Sequence, residues 1–280
     1  MVVQNSNRTM VQKANGETEI FDPEKLRMSL INSGATEEMS ANVLSRILPE
    51  LRDGLTTGEI YKRAFSVLGE TDKPAARSYS LRRAIMDLGP SGFSFEDFVA
   101  EILRSKGFQC QTRQNVLGGC VPHEVDVVAY DDKRLIMVEA KFHNELGTKS
   151  DLKVALYIKA RFDDIKNNVF DYGGEDRKVT DSWLITNTKF SSTAVHYAEC
   201  QKMTLIGWNY PAKGNLQDMI EEERLHPVTC LTSLTEMDKR TLLLAGVVLC
   251  SNIKRDPSVL SKYLGTDAKT EAVLAEINEL

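Results

Sequence analysis

The chain is poor in the features that mark secreted, membrane-spanning or thiol-based proteins. It has five cysteines in 280 residues, Cys110, Cys120, Cys200, Cys230 and Cys250, and no two of them form a Cys-x-x-Cys pair. The number is odd and the spacing is wide, which excludes a disulfide framework and implies reduced thiols in a cytoplasmic protein. No apolar run approaches the roughly 18 residues of a membrane span. The longest, Leu242 to Cys250, reads as a buried helix. Residues 1–13 hold no apolar stretch of the signal-peptide kind. There is no HExxH, which argues against zincin chemistry, and no GxxxxGK[ST], which argues against P-loop hydrolysis or motor activity. A basic excess is also missing. Lys and Arg number 35 against 40 Asp and Glu, for a net charge of -5. That weakens any nucleic-acid reading only mildly, because a local basic cleft needs no basic whole.

What is present reads as two domains and a small third piece. Residues 1–8 look like a disordered start. Two short extended runs, Val11 to Lys13 and Thr18 to Phe21, flank an Asn15-Gly16 turn, a strong hairpin signal. Asp22-Pro23 then caps a helix that Gly34 ends. Helices from Thr36, from Thr57 and over 74–88 follow, and Gly89-Pro90-Ser91-Gly92 reads as a linker. The first domain is therefore a β-hairpin with four helices, residues 8–92. After it the pattern turns mixed α/β over 93–215. A helix at 94–105 precedes extended runs at 108–112, 121–130 and 135–142, a helix at 150–167, a strand at 182–186, a helix at 191–201 and a strand at 203–208. Residues 216–280 read as short helices.

The informative stretch runs from His123 to Lys141. Two apolar runs flank the polar turn Asp131 to Arg134, which makes a hairpin. With Tyr130 opposite Leu135, Asp126 lies opposite Glu139, and Lys141 shares the face of Glu139. Directly opposed side chains have Cβ atoms about 4.5–5.5 Å apart. Two carboxylates that close repel unless a cation sits between them, and oxygen ligands favour Mg²⁺ or Mn²⁺. Lys141 beside such an ion can orient or deprotonate water and stabilise phosphoryl charge. Charges that interrupt apolar strands are costly unless they are used. Glu96 borders the apolar stripe Phe95, Phe98, Val99, Ile102 and Leu103 of the leading helix, for which Ser94 is the expected N-cap. His143 is open between a phosphate contact and the surface. Glu124 is open between an ion pair with Lys141, which is favoured, and the metal site, and Arg161 between a solvated helix charge, which is favoured, and a contact to DNA.

Asp126 followed by Glu139-Ala140-Lys141 resembles the PD-(D/E)xK nuclease signature, without a proline adjacent to the aspartate. The Phe95-Glu96-Asp97-Phe98 helix and the strand–helix–strand over 184–208 resemble Mrr-type restriction endonucleases, covering roughly 93–210. The resemblance implies Mg²⁺- or Mn²⁺-dependent phosphodiester hydrolysis in DNA. It implies Asp126, Glu139 and Glu96 as metal ligands, with Lys141 as the catalytic lysine. The first domain resembles an ATP-cone, carried by Val11-x-Lys13, Asn15-Gly16, Glu19, Phe21-Asp22, Lys25-Leu26, Thr56 to Tyr61 and Ala75 to Arg77. That likeness implies Val11, Lys13, Glu19, Lys25, Thr57 and Tyr61 around ATP or dATP, a ligand that is sensed and not hydrolysed. Tyr61 stands where a histidine is expected. ATP-cones work through subunit contacts, so the likeness also implies a homo-oligomer.

The fold expected is α/β: a hairpin-and-four-helix ATP-cone, a restriction-endonuclease-like mixed sheet flanked by helices, and a small helical tail. The function expected is a cytoplasmic DNA endonuclease regulated by an adenine nucleotide, with no membrane partner. The alternative is a non-catalytic, nucleotide-sensing DNA-binding regulator, which has no need of the Asp126/Glu139/Lys141 set.

Overall fold

The computed structural model describes residues 9–12, 17–31, 35–71, 73–145, 147–265 and 270–280, and for 73–78 the backbone alone. Lys13, the turn Ala14-Asn15-Gly16, the helix stop Gly34 and the start 1–8 lie outside the described residues, as do the side chains of Ala75 to Arg77. The chain divides into two compact units, Met1–Arg83 and Ala84–Leu280. The division falls inside a helix that continues past Arg83, and Gly89 to Gly92, expected as a linker, lies within the second unit.

In the first unit, β1 (Met10–Gln12) and β2 (Thr18–Ile20) pair antiparallel, with Val11 opposite Glu19. Asp22 Oδ1 accepts from Glu24 N at 2.9 Å and starts α1 (Pro23–Ile31), with proline at the position that needs no N–H. Thr36 caps α2 (Glu37–Ile47) by accepting from Met39 N. Then come α3 (Thr57–Thr71) and α4 (Lys73–Met86). Val11, Leu26, Leu30, Val43, Ile47, Ile60, Ala64 and Leu68 form one apolar core, and its burial drives the packing of helices too short to be stable alone.

The second unit opens with α5 (Phe93–Ser105), whose Phe95, Phe98, Val99, Ile102 and Leu103 are all buried. Its N-cap is Gly92, without a side-chain bond, and Ser94 lies buried inside the first turn. Strands β3 (Gln109–Leu117), β4 (Pro122–Tyr130) and β5 (Leu135–Lys141) form an antiparallel meander. After β6 (Lys149–Ser150), α6 (Leu152–Ile165) crosses to a small hairpin of β7 (Val169–Asp171) and β8 (Asp176–Lys178). Next are β9 (Asp181–Thr186), β10 (Lys189–Phe190), α7 (Ser192–Gln201) and β11 (Thr204–Ile206). The main sheet has the order β11-β9-β5-β4-β3. Its β5–β9 and β9–β11 pairs are parallel, so the sheet is mixed and flanked by helices.

Asp151 caps α6 by accepting from Lys153 N at 3.0 Å and Val154 N at 3.3 Å. Asp151→Ala is expected to lower stability by about 1 kcal/mol, read by urea denaturation. An unchanged midpoint would mean that water replaces the cap.

The chain continues through α8 (Leu216–Glu222), α9 (Glu236–Leu244), α10 (Cys250–Arg255), α11 (Ser258–Leu264) and α12 (Thr270–Glu279). This helical stretch is tied to the rest of its unit. Leu216 N donates to Gly207 O at 2.9 Å, and Thr229 Oγ1 donates to Ala84 O at 2.7 Å. The run Leu242 to Cys250 is not one buried helix. It breaks after Leu244, which is 82% exposed, because Gly246 turns the chain at φ +75°. No described helix is long and apolar enough to cross a membrane.

Candidate functional site

The β4–β5 register is the one expected, with Tyr130 opposite Leu135 and Val127 opposite Val138. The paired ladder then ends. In its place the Asp126 side chain reaches across, and Oδ2 accepts from Ala140 N at 2.8 Å. Val125 and Val128, of opposite parity in β4, belong to one apolar cluster with Ile165 of α6. Strict alternation therefore fails at Asp126. Across β4 on the other side, Thr112 pairs with Val127 and Gln114 with Val125. Between them Arg113 takes a left-handed φ of 53°, a conformation a long side chain adopts only when its surroundings impose it.

Burial pushes the Asp126 carboxyl up to about 7, helped by the charge of Glu139 and, more weakly, of Glu96; the Ala140 N–H and Arg161 oppose it. The three carboxylates thus share one electrostatic neighbourhood. Each of the other two is held by an arginine. Arg161 Nη1 of α6 donates to Glu139 Oε2 at 2.6 Å, with side chains 14% and 18% exposed. Arg113 Nη1 donates to Glu96 Oε2 at 3.3 Å, and its Nη2 lies 2.9 Å from Asp97 Oδ1. Glu96 is buried, and that burial pushes its carboxyl up against the pull of Arg113. Asp126 Oδ1 has no hydrogen-bond partner among the described residues. Nor do three metal-ligating side chains stand grouped to hold an ion among those residues.

Lys141 ends β5 opposite Thr186 of β9, whose Oγ1 donates to Lys141 O at 2.7 Å. Lys141 is half-buried, and its ammonium forms no ion pair among the described residues. The expected Glu124–Lys141 pair is not formed. Glu124 is exposed and lies opposite Asn115 of β3, because β4 and β5 part company beyond Val127. His143 is half-buried. Its Nε2 lies 3.0 Å from Ser150 Oγ, and its backbone is clasped by Asn187, which accepts from His143 N and donates to His143 O, both at 2.8 Å. Burial, with the charge of Lys141, pulls the imidazole pKa down. Arg161 is not the solvated helix charge that its sequence context suggests. Its half-buried partner Glu139 is twenty-two positions away in sequence, beyond any helical spacing.

Asp164, at the end of α6, fastens the β3–β4 turn. Its Oδ1 accepts from Cys120 N at 2.9 Å, and its Oδ2 is 2.8 Å from His123 Nε2. The His123 and Cys120 contacts hold the Asp164 carboxyl down at about 2. Gly118 fits here because a Cβ would collide with this carboxylate. The turn and α6, which carries Arg161, are thereby fixed together.

In the first unit, Val11 is 2% exposed, so only its main chain can meet a ligand. Glu19 Oε2 accepts from Lys25 Nζ at 3.2 Å. Tyr61 stacks on Tyr79 with ring centroids 5.0 Å apart, and the Arg83 guanidinium lies over its ring.

A restriction endonuclease family model, of the Mrr catalytic type, matches residues 89–209. A model described as AF1548-like, C-terminal, matches residues 226–280. An uncharacterized protein of Archaeoglobus fulgidus is 36% identical over 186 residues, 65% of this chain and 99% of that protein. A crystal structure of a protein of unknown function, AF1548, matches with 34% identity and a TM-score of 0.56, covering 68% of this chain and 97% of the other. With identity at this level over nearly the whole length of its relatives, the chain belongs to the AF1548 family and carries a restriction-endonuclease-like domain of the Mrr type.

Proposed function

We propose that the protein is a DNA endonuclease dependent on Mg²⁺ or Mn²⁺, with Asp126, Glu139 and Glu96 as the metal-binding carboxylates and Lys141 as the catalytic lysine. The observation that carries this is the strained charge state of the carboxylate group. Asp126 is half-buried next to Glu139, is pushed toward its protonated form and keeps one oxygen unengaged by the described residues. A hard divalent cation relieves that repulsion and matches an all-oxygen donor set. The donors are of the kind such an ion prefers, and it would supply activation of water and neutralisation of phosphoryl charge as it draws the carboxylates together.

The chain's own groups do the remainder. The Ala140 N–H fixes Asp126 against β5 between Glu139 and Lys141. Thr186 holds the main chain of Lys141. The unpaired ammonium then orients water and stabilises negative charge on the attacked phosphate. Cleavage of supercoiled plasmid in Mg²⁺, lost in EDTA, is the expected result. DNA binding without cleavage in either Mg²⁺ or Mn²⁺ would leave the regulator reading in its place.

We infer further that the first unit binds ATP or dATP as a sensed ligand. Supporting this, the candidate residues draw together through the hairpin. Val11 pairs with Glu19, Glu19 binds Lys25, and Gln12 bridges to Thr56. That brings the first turn of α3, with Thr57 and one turn later Tyr61, to the side of β1. In this reading the nucleotide shifts a self-association equilibrium and, through it, the cleavage rate. Saturating ATP or dATP is expected to change both the rate and the mass seen by light scattering, and Lys25→Ala to blunt both effects. Indifference of rate and mass alike would leave the first unit an adaptor.

A further inference from the structure

We propose that Arg161 is a resident counter-ion, which neutralises Glu139 while the chain is metal-free and turns to the DNA backbone when a divalent cation takes that carboxylate. The inference rests on the nuclease reading and adds to it a residue that the active-site signature does not contain. A carboxylate only 18% exposed needs a cation nearby, because an unpaired buried charge is expensive. Arg161 meets that need with Nη1, 2.6 Å from Glu139 Oε2. The rest of the guanidinium meets the Tyr157 side chain and uses its donors only in part. Its Nε is buried and meets no acceptor. An arginine kept only for structure at a buried site would have its donors satisfied.

The outer face of the guanidinium lies over the ring of Tyr157, 4.8 Å from the centroid, and Tyr157 is 60% exposed. Arg161 therefore stands between an inner anion and an outer aromatic platform at the surface. A cavity of about 10 Å³, lined by Glu139 and Arg161 with mostly apolar neighbours, leaves room for about one water beside the pair. Arg161 already engages Oε2 of Glu139, so a metal ion drawn to that carboxylate competes with it. Once displaced, the guanidinium keeps its ring contact and presents its forked donors outward, a shape suited to phosphate oxygens. The fixed position of α6, held by Asp164 to the β3–β4 turn, confines that movement to the side chain.

The test uses the full chain with Arg161→Met and Arg161→Lys, Mn²⁺ calorimetry, and duplex binding in EDTA and in Ca²⁺. Arg161→Met is expected to bind Mn²⁺ on the order of tenfold more tightly than wild type, the scale on which groups beside metal ligands alter affinity. It is also expected to melt lower in EDTA and to gain more from Mn²⁺. Its duplex binding should fall several-fold in Ca²⁺ and stay near wild type in EDTA, where Arg161 is engaged by Glu139. Arg161→Lys, which keeps the charge and folds if the methionine variant does not, should fall between the two in Mn²⁺ affinity. A purely structural arginine gives the opposite: Mn²⁺ affinity unchanged or weaker, and an equal loss of DNA binding with and without the cation. That result overturns the proposal alone. A wild-type chain that binds no Mn²⁺ overturns it together with the metal-dependent reading.

Discussion

Lys141→Ala is expected to lower DNA cleavage by about 10²- to 10⁴-fold while leaving the fold and Mn²⁺ binding intact. The size follows from the role. A positioned proton donor or acceptor, or one charge aimed at a developing oxyanion, contributes on that scale. Intact folding follows from the contacts. The Lys141 side chain makes no ion pair among the described residues, and the bonds that hold this end of β5 use main-chain atoms: Ala140 N to Asp126 and Lys141 O from Thr186. Alanine keeps both. Calorimetry with Mn²⁺ and a plasmid assay separate this outcome from a folding defect, which would lower metal binding and cleavage together. Cleavage at the wild-type rate would remove Lys141 from the chemistry and leave the carboxylates to be explained otherwise.

The hairpin that carries these residues was legible because its signals are local. Apolar runs on either side of Asp131 to Arg134 set the register, and Asp131 Oδ1 closes the turn by accepting from Lys133 N and Arg134 N. Placing Glu96 near the same site was possible because helical spacing puts it beside a buried stripe. Two other features were not local. The end of the ladder at Val127 depends on a side chain replacing a main-chain acceptor, which no alternation pattern encodes. The arginines on Glu139 and Glu96 are set by tertiary neighbours, so Arg161 looked like any helix charge. Two further signals are local. Gly246 divides an apolar run that composition alone joins, and Gly173-Gly174, both at positive φ, mark the β7–β8 hairpin.

In EDTA, the wild-type chain is expected to lose stability relative to Asp126→Asn as the pH rises from about 5 to about 8. The sign follows from where the proton sits. The Asp126 carboxyl stands at about 7 in the folded chain, against 3.8 for an ordinary aspartate. Below the lower value both states hold the proton, and the contribution to stability is complete. Between the two, folded Asp126 holds a proton that the unfolded chain has released, so each step up in pH favours unfolding. The contribution is gone once the pH passes the folded value. A gap of this width corresponds to about 2–4 kcal/mol, reduced from the full linkage figure because the group is not wholly enclosed. Asparagine resembles the protonated form and has nothing to lose over that range. Glu96, also pushed up by burial, adds a slope of the same sign to both proteins, so the difference between them reads Asp126 together with its coupling to the neighbouring carboxylates. Mn²⁺ should reverse the trend in the wild type, because a metal ligand must give up its proton, and the gain in melting temperature should be greater near pH 8 than near pH 6. Urea or thermal denaturation of both chains across this range measures it. A difference that does not vary with pH would mean that Asp126 is ionised throughout, and the crowding of carboxylates on which the metal reading rests would then be too weak to require a cation.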